Sequence, residues 1–324
     1  MCTAIRYQNK DHYFGRNLDA DFSFNERVVI TPRNHLFSLR NGTEFKTKFA
    51  MIGVATVLND QPLYYEAANE KGLAVAGLNF PGNAEYLPPQ PGRTNLASFE
   101  FLPWLLGQAQ TVSEVRELLK DLVLTNIPFS AEIPVPPLHF MISDRECSIV
   151  VEPRADGLHV YENPFDVITN NPPFDFHLWN MRQYRHLSPS IDPVRFSQQY
   201  PLEKFCVGMG SIGLPGDTSS ASRFVRTAFN LTNSKSEPTE ESQVSQFFHV
   251  LDSVAMVRGS TVTPNGTNDI TLYSCCINLD KGILYYKTYD NSQLTAICMD
   301  RVDLDADHLY VYNLVLDQQI RFDN

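Results

Sequence analysis

Runs of β-forming residues follow one another through this chain with connections too short to hold a crossover helix, and that restricts the fold more than any other feature. AMIGVATVL (50–58), LYYEAANE (63–70) and LAVAGLNF (73–80) come in succession, with NEKG closing a hairpin at Gly72. LHFMISD (138–144), CSIVVE (147–152) and LHVYE (158–162) make a second meander. ITLYSCCINLDKGILYYKTYDNSQLTAICM (270–299) makes a third, with LDKG and YDNS where tight turns belong. Near the start, CTAIRYQ and HYFGRNL have the form of one more hairpin. Parallel neighbours need about a dozen residues between them, so these strands pair largely antiparallel.

Helical periodicity lies between the meanders. TVSEVRELLKDL (111–122) opens with Thr111 and Glu114 at capping-box spacing and repeats Val112, Val115, Leu118, Leu119 and Leu122 on one face. SSASRFVRTAFNL (219–231) and SQVSQFFHVLDSVA (242–255) carry the same period. FEFLPWLLGQ (99–108) is a fourth helix, in which Pro103 removes one backbone donor. Strand runs with helices interposed, and no βαβ alternation, give an α+β layered fold. The stretch 186–218, rich in Pro, Ser and Gly, is the least regular, and SKSEPTEES (234–242) is a polar loop. Neither is long enough to separate two cores, so residues 2–324 are expected to form a single domain.

Charge and motif patterns exclude several functions. A formal net charge of −11 without any Lys/Arg run argues against nucleic acid. No basic stretch precedes an apolar core at the N-terminus, and no apolar run approaches a membrane span, so neither a secretory signal nor membrane insertion is expected. The six cysteines form no CxxC pair, which fits free thiols in a reducing cytoplasm. No HxH or HExxH occurs, and His139 and His249 sit in apolar patterns as core histidines, so no metal is implied. Gly208, Gly210 and Gly213 form a GxGxxG, but Pro215 follows where a dinucleotide-binding helix should start, and no GxSxG is present.

Cys2 remains as a candidate nucleophile. If Met1 is removed, one residue carries both a thiol and a free α-amine, whose reference pKa values are about 8.5 and about 7.7–8.0. Such an amine can take the thiol proton and return it to a leaving group. A nearby cation favours thiolate, and an anion would hold the amine. Arg16 and Asp19, in FGRNLD, would return toward Cys2 if the first hairpin forms.

MCTAI with HYFGRNLD, then NEKGLAVAGLNFPG (69–82), VITNNPPFD (167–175), GLPGDTSSASRFVR (213–226) and YYKTYDNSQLTAI (285–297), resemble in order the blocks of the choloylglycine hydrolase family, whose members are N-terminal nucleophile amidohydrolases. The resemblance spans essentially the whole chain. It implies a four-layer αββα sandwich of two stacked, largely antiparallel sheets, a homotetramer, and no cofactor. It implies Cys2 as nucleophile, Arg16 beside its thiolate, and Asp19 on the terminal amine. It further implies Asn79 as an oxyanion donor acting with a backbone N–H, Asn170 as a second active-site asparagine, and Arg223 as a further charged group. Asn171 stands beside Asn170, and strand alternation aims the two side chains apart. The family divides into bile salt hydrolases and penicillin V acylases; in the acylases the position of Asn79 is typically Tyr, which places this chain with the former. The implied substrate is a steroid acid conjugated to glycine or taurine. Phe22, Phe24, Leu58, Tyr65, Phe129, Ile133 and Leu138 are the expected pocket surface. A penicillin V acylase, a silent sterol-binding homologue and a thiol redox sensor are the alternatives.

Overall fold

A computed structural model describes residues 1–324 except 192–195, 198 and 201, so part of the irregular stretch 186–218 lies outside the described residues. Two antiparallel sheets dominate. Sheet I has six strands in the spatial order Val167–Ile168, Cys2–Gln8, His12–Ala20, Ile270–Asn278, Ile283–Thr288, Thr295–Cys298. Sheet II has eight, in the order Gly157–Glu162, Ser148–Arg154, Leu138–Ser143, Ala74–Asn79, Gln61–Asn69, Met51–Leu58, Arg27–Thr31, Tyr310–Asn313. The helices are α1 (Phe101–Leu106), α2 (Val112–Leu119), α3 (Phe174–Asn180), α4 (Ser220–Thr232) and α5 (Glu240–Asp252).

Period-two alternation explains how the layers stack. In sheet II, Val28, Ile30, Ala74, Ala76, Leu78, Met141 and Val150 enter a core shared with sheet I. Their neighbours Val29, Val75, Phe140, Ile142, Ile149 and Val151 point the other way, into a second core with Leu102, Leu105 and Leu106 of α1 and Val112, Val115 and Leu119 of α2. α4 and α5 cover sheet I, with Phe247 6.5 Å from Tyr13 between ring centroids. The result is the αββα sandwich that the family resemblance implied.

Several local expectations are refined. Pro103 is the third residue of α1, where its missing N–H has no helical acceptor anyway, so the helix tolerates it. α2 ends at Leu119. Leu122 instead starts the strand Leu122–Thr125, which pairs in parallel with Thr94–Ala97. Thr111 Oγ1 accepts the Glu114 N–H at 3.2 Å, but the Glu114 carboxylate turns back to the Gln110 N–H at 2.7 Å, so the box is displaced by one residue. α5 begins at Glu240, making the end of the expected polar loop its first turn, capped by Thr239. α3 was not anticipated: it has seven residues behind Pro172–Pro173 and too few turns to show a period.

One irregularity matters for the site. Val54 pairs with Glu66 and Ala55 with Tyr64, leaving Tyr65 as the extra residue of a β-bulge. Tyr64 therefore packs into the outer core, while Tyr65 and Glu66 both face sheet I. Gly53 pairs with Ala67, next to the bulge. A Cβ there would run into the Glu66 carbonyl oxygen and come within 2.6 Å of the Ala67 Cβ, neither of which can swing aside. Gly53→Ala is expected to cost about 1–3 kcal/mol, read as a lower urea midpoint. Gly216→Ala, with nothing within 4 Å of the new Cβ, should leave the midpoint unchanged.

Candidate active site

The first hairpin forms as the sequence suggests, with Cys2 opposite Leu18 and Ala4 opposite Arg16. Directly opposed residues share a face, so Cys2, Ala4, Arg16 and Leu18 all point between the sheets. Cys2 is 4% exposed. Its N–H donates to Asn170 Oδ1 at 2.8 Å, while Asn170 Nδ2 donates to the Asn79 carbonyl at 2.7 Å. Arg223, from the first turn of α4, reaches the same asparagine: Nη2 donates to Asn170 Oδ1 at 2.7 Å. Its Nη1 donates to the Cys2 carbonyl and to Thr3 Oγ1, and its Nε to the Thr218 carbonyl at 3.1 Å. Asn170 thus joins Cys2, Asn79 and Arg223 at one side chain. Asn171 turns away, its Nδ2 donating to the Pro81 carbonyl at 2.7 Å.

The main chain of Asn170 is itself held from two sides. Its N–H donates to Ser220 Oγ at 2.8 Å. The His177 Nε2–H donates to its carbonyl at 3.1 Å, and the imidazole stacks on Phe224 with centroids 4.7 Å apart. Burial lowers the pKa of His177 to about 4, so the ring is neutral and keeps one N–H for this bond. His139 is a core histidine, as its apolar setting implied: its ring lies 4.2 Å from that of Phe80, with Nε2 2.9 Å from the Thr169 carbonyl.

Arg16 is 1% exposed and spans the two sheets. Nη1 donates to the carbonyls of Gly77 at 2.5 Å and Tyr65 at 3.3 Å, and Nε lies 3.6 Å from Glu66 Oε2. Asp19 is 4% exposed. Its Oδ1 accepts from Thr271 Oγ1 at 2.6 Å, and its buried Oδ2 has no partner among the described residues. Burial pushes this carboxyl upward, with Arg223 and the terminal ammonium pulling it back. With Met1 present, its ammonium donates to the Asp19 carbonyl at 2.7 Å and lies 3.2 Å from Asp269 Oδ2.

Asn79 enters this cluster through its main chain. Its side chain, at the strand end, is exposed and makes no hydrogen bond among the described residues. Alternation sends it to the face of Val75 and Gly77, beside Leu138 opposite.

The expected pocket residues separate into two groups. Phe22 and Phe24 are exposed with centroids 4.5 Å apart, and Phe24 lies 6.0 Å from Tyr65. Thr56 Oγ1 ties them, donating to the Phe24 carbonyl and bonding Tyr65 Oη, each at 2.7 Å. Phe129 and Leu138 do not join them. Phe129 is buried under the Arg40 guanidinium and lines a 260 Å³ cleft with Phe37, Leu63 and Phe99; Leu138 packs on the outer core. Leu58 and Ile133 are half-buried. A second cleft, of 470 Å³, lies between Arg93, Arg116 and Arg154, and Cys2 lines neither.

Sequence reasoning missed Thr3, Glu66, His177, Asp269, Thr271 and Tyr273. Only Glu66 left a signal, an acid amid the apolar LYYEAANE. Among the described residues no group of His, Cys, Asp and Glu is arranged to hold a metal, and no helix is long and apolar enough to cross a membrane.

This geometry has known counterparts. Residues 2–312 match the family described as linear amide C–N hydrolases, choloylglycine hydrolase family. The chain is 46% identical over 314 residues to the bile salt hydrolase/transferase of Lactiplantibacillus plantarum, covering 97% of each. A conjugated bile acid hydrolase from Clostridium perfringens superposes with a TM-score of 0.92 at 39% identity, covering 100% of both chains. Penicillin V acylase from Agrobacterium tumefaciens shares the fold, with a TM-score of 0.76 at 20% identity over 96% of this chain and 91% of the other. The chain belongs to the choloylglycine hydrolase family of linear amide C–N hydrolases.

Proposed function

We propose that this protein hydrolyses the amide joining a steroid acid to glycine or taurine, using Cys2 as its nucleophile once Met1 is gone. One observation carries the reading: Asn170 Oδ1 accepts from the nitrogen of residue 2 at 2.8 Å, and buried Arg223 bonds both that oxygen and the Cys2 carbonyl. A structural cysteine needs neither. Loss of Met1 turns that nitrogen into an amine, and Asp19 and Asp269 lose the ammonium they now face.

The steps balance without a cofactor. The α-amine of Cys2 takes the thiol proton, and the thiolate, beside Arg16, attacks the amide carbonyl. A main-chain N–H at Asn79 meets the oxyanion, since the Asn79 side chain turns to the outer face, while Asn170 and Arg223 hold Cys2 in line. As the C–N bond breaks, the ammonium returns its proton to the departing glycine or taurine nitrogen. Water, deprotonated by the same amine, then cleaves the thioester and frees the steroid acid. Phe22, Phe24 and Tyr65 offer an aromatic surface for an apolar sterol, with Leu58 and Ile133 extending the proposed wall and Phe129 and Leu138 packed away from it. The names of two relatives, a bile salt hydrolase/transferase and a conjugated bile acid hydrolase, support the substrate class.

Two further points belong to this reading. Exposed Phe196, Tyr200, Leu202, Phe205, Val207 and Ile212 favour burial in an assembly, which the family resemblance makes a homotetramer. Six cysteines without a disulfide favour the cytoplasm.

The decisive assay is release of glycine and taurine from glycocholate and taurocholate, with penicillin V beside them. Native protein lacking Met1 by mass is expected to release both, and Cys2→Ala neither. Cleavage of penicillin V alone would overturn the substrate class. Asn170→Ala is expected to lower kcat about 10²–10³-fold, and Asn79→Ala, whose side chain lies on the face away from Cys2, to leave it within about threefold. A large loss of kcat in Asn79→Ala would assign the oxyanion to its side chain.

A further inference from the structure

Glu66 is the most completely buried acid near the site, at 0% exposure, and the catalytic steps leave it unused. Sheet II delivers it at the bulge, and sheet I supplies its partners. Tyr273 Oη donates to both carboxylate oxygens, at 3.0 and 2.9 Å, and Cys275 Sγ donates to Oε1 at 3.2 Å. Arg16 Nε stands 3.6 Å from Oε2. Arg16 in turn spends Nη1 on the Gly77 and Tyr65 carbonyls, which fixes the plane of the guanidinium. Cys2 and Glu66 are the two leading negative influences on that guanidinium, which places Arg16 electrically between them.

An acid is a costly way to fill such a space. A dry carboxylate loses its hydration, and a single ion pair at this separation returns only part of it. A Gln or Leu would pack there without that cost, so the charge itself has a use.

We propose that Glu66 is a positioning residue for the Cys2 chemistry, holding Arg16 in place and offsetting part of the positive charge that Arg16 presents to the thiol. This rests on Cys2 being the nucleophile. The groups facing Glu66 are Arg16 of the first hairpin, Tyr273 and Cys275 of the strand Ile270–Asn278, and its own neighbour Tyr65, with Glu26 adding a more distant negative charge. Burial raises the Glu66 pKa to about 7 against the pull of Arg16. Protonated below that pH, it leaves Arg16 at full charge; ionised above it, it shares that charge.

The test is iodoacetamide alkylation of Cys2 across pH 5–9, followed by mass on the N-terminal peptide of processed protein, so that the other five thiols do not interfere. With Glu66→Gln alkylation is expected to be about two- to threefold faster at pH 7.5–8, where native Glu66 is ionised, and unchanged at pH 5.5, where it is protonated. Glu66→Asp, which keeps the charge, should restore the native curve. Should Glu66→Gln not fold, Tyr273→Phe serves. It removes the donor common to both carboxylate oxygens and raises the pH at which Glu66 ionises, so the neutral-pH inflection should move upward. A folded Glu66→Gln with the native alkylation curve overturns the proposal, as does an unmoved inflection in Tyr273→Phe. The readout involves no bile salt, so a failure of the substrate assignment shows separately, as absent glycine and taurine release from native protein.

Discussion

Two guanidinium groups kept out of water set the terms for the rest of the molecule. Arg16 and Arg223 are among its largest fully buried side chains, and a dry guanidinium must find acceptors for its fork of donors. Arg16 finds them across the gap between the sheets, on the Gly77 and Tyr65 carbonyls. Arg223 finds them on Cys2, Thr3, Thr218 and Asn170. One fixes the spacing of the two sheets beneath the nucleophile. The other fastens α4 to the first strand. Cys2 is held where these two sets of acceptors meet, so the precision of the site follows from what the buried charges require.

The parts of the fold legible in the sequence were those encoded by neighbours. Alternation in LAVAGLNF and LHFMISD, turn residues in NEKG, and the period of SSASRFVRTAFNL are all short-range, and the strands and helix they indicate are present within a residue or two. Leu122 shows where this fails. Its spacing extends the helical face of 111–119, yet pairing with Thr94 draws it into a strand, a tertiary preference that a periodic pattern cannot hold.

The site was legible to a different depth. Local motifs pointed to Cys2, Arg16 and Asp19, while Asn170 and Asn171 turn to Cys2 and to Pro81 respectively from a bend beyond the strand Val167–Ile168. Glu66 could be placed on the inner face from Ala68, two residues on, but its partner Tyr273 lies 207 residues away. The bulge at Tyr65 was hidden altogether, because a slip in pairing belongs to two strands and is written in neither. That slip also brings Tyr65 round to Phe24. Phe129 went the other way: the chain between α2 and the strand Leu138–Ser143 carries it under Arg40, where it packs like any core aromatic.

The position of Met1 has a practical consequence. Its ammonium faces the Asp19 carbonyl and Asp269, and its peptide bond makes the Cys2 nitrogen an amide with no basic lone pair. On the proposed chemistry the chain that keeps Met1 is therefore a blocked form. Anything fused ahead of Met1 keeps it blocked, whatever its size. An affinity handle belongs at the other end, where residues 316–324 lie in the open, far along the chain from the chemistry.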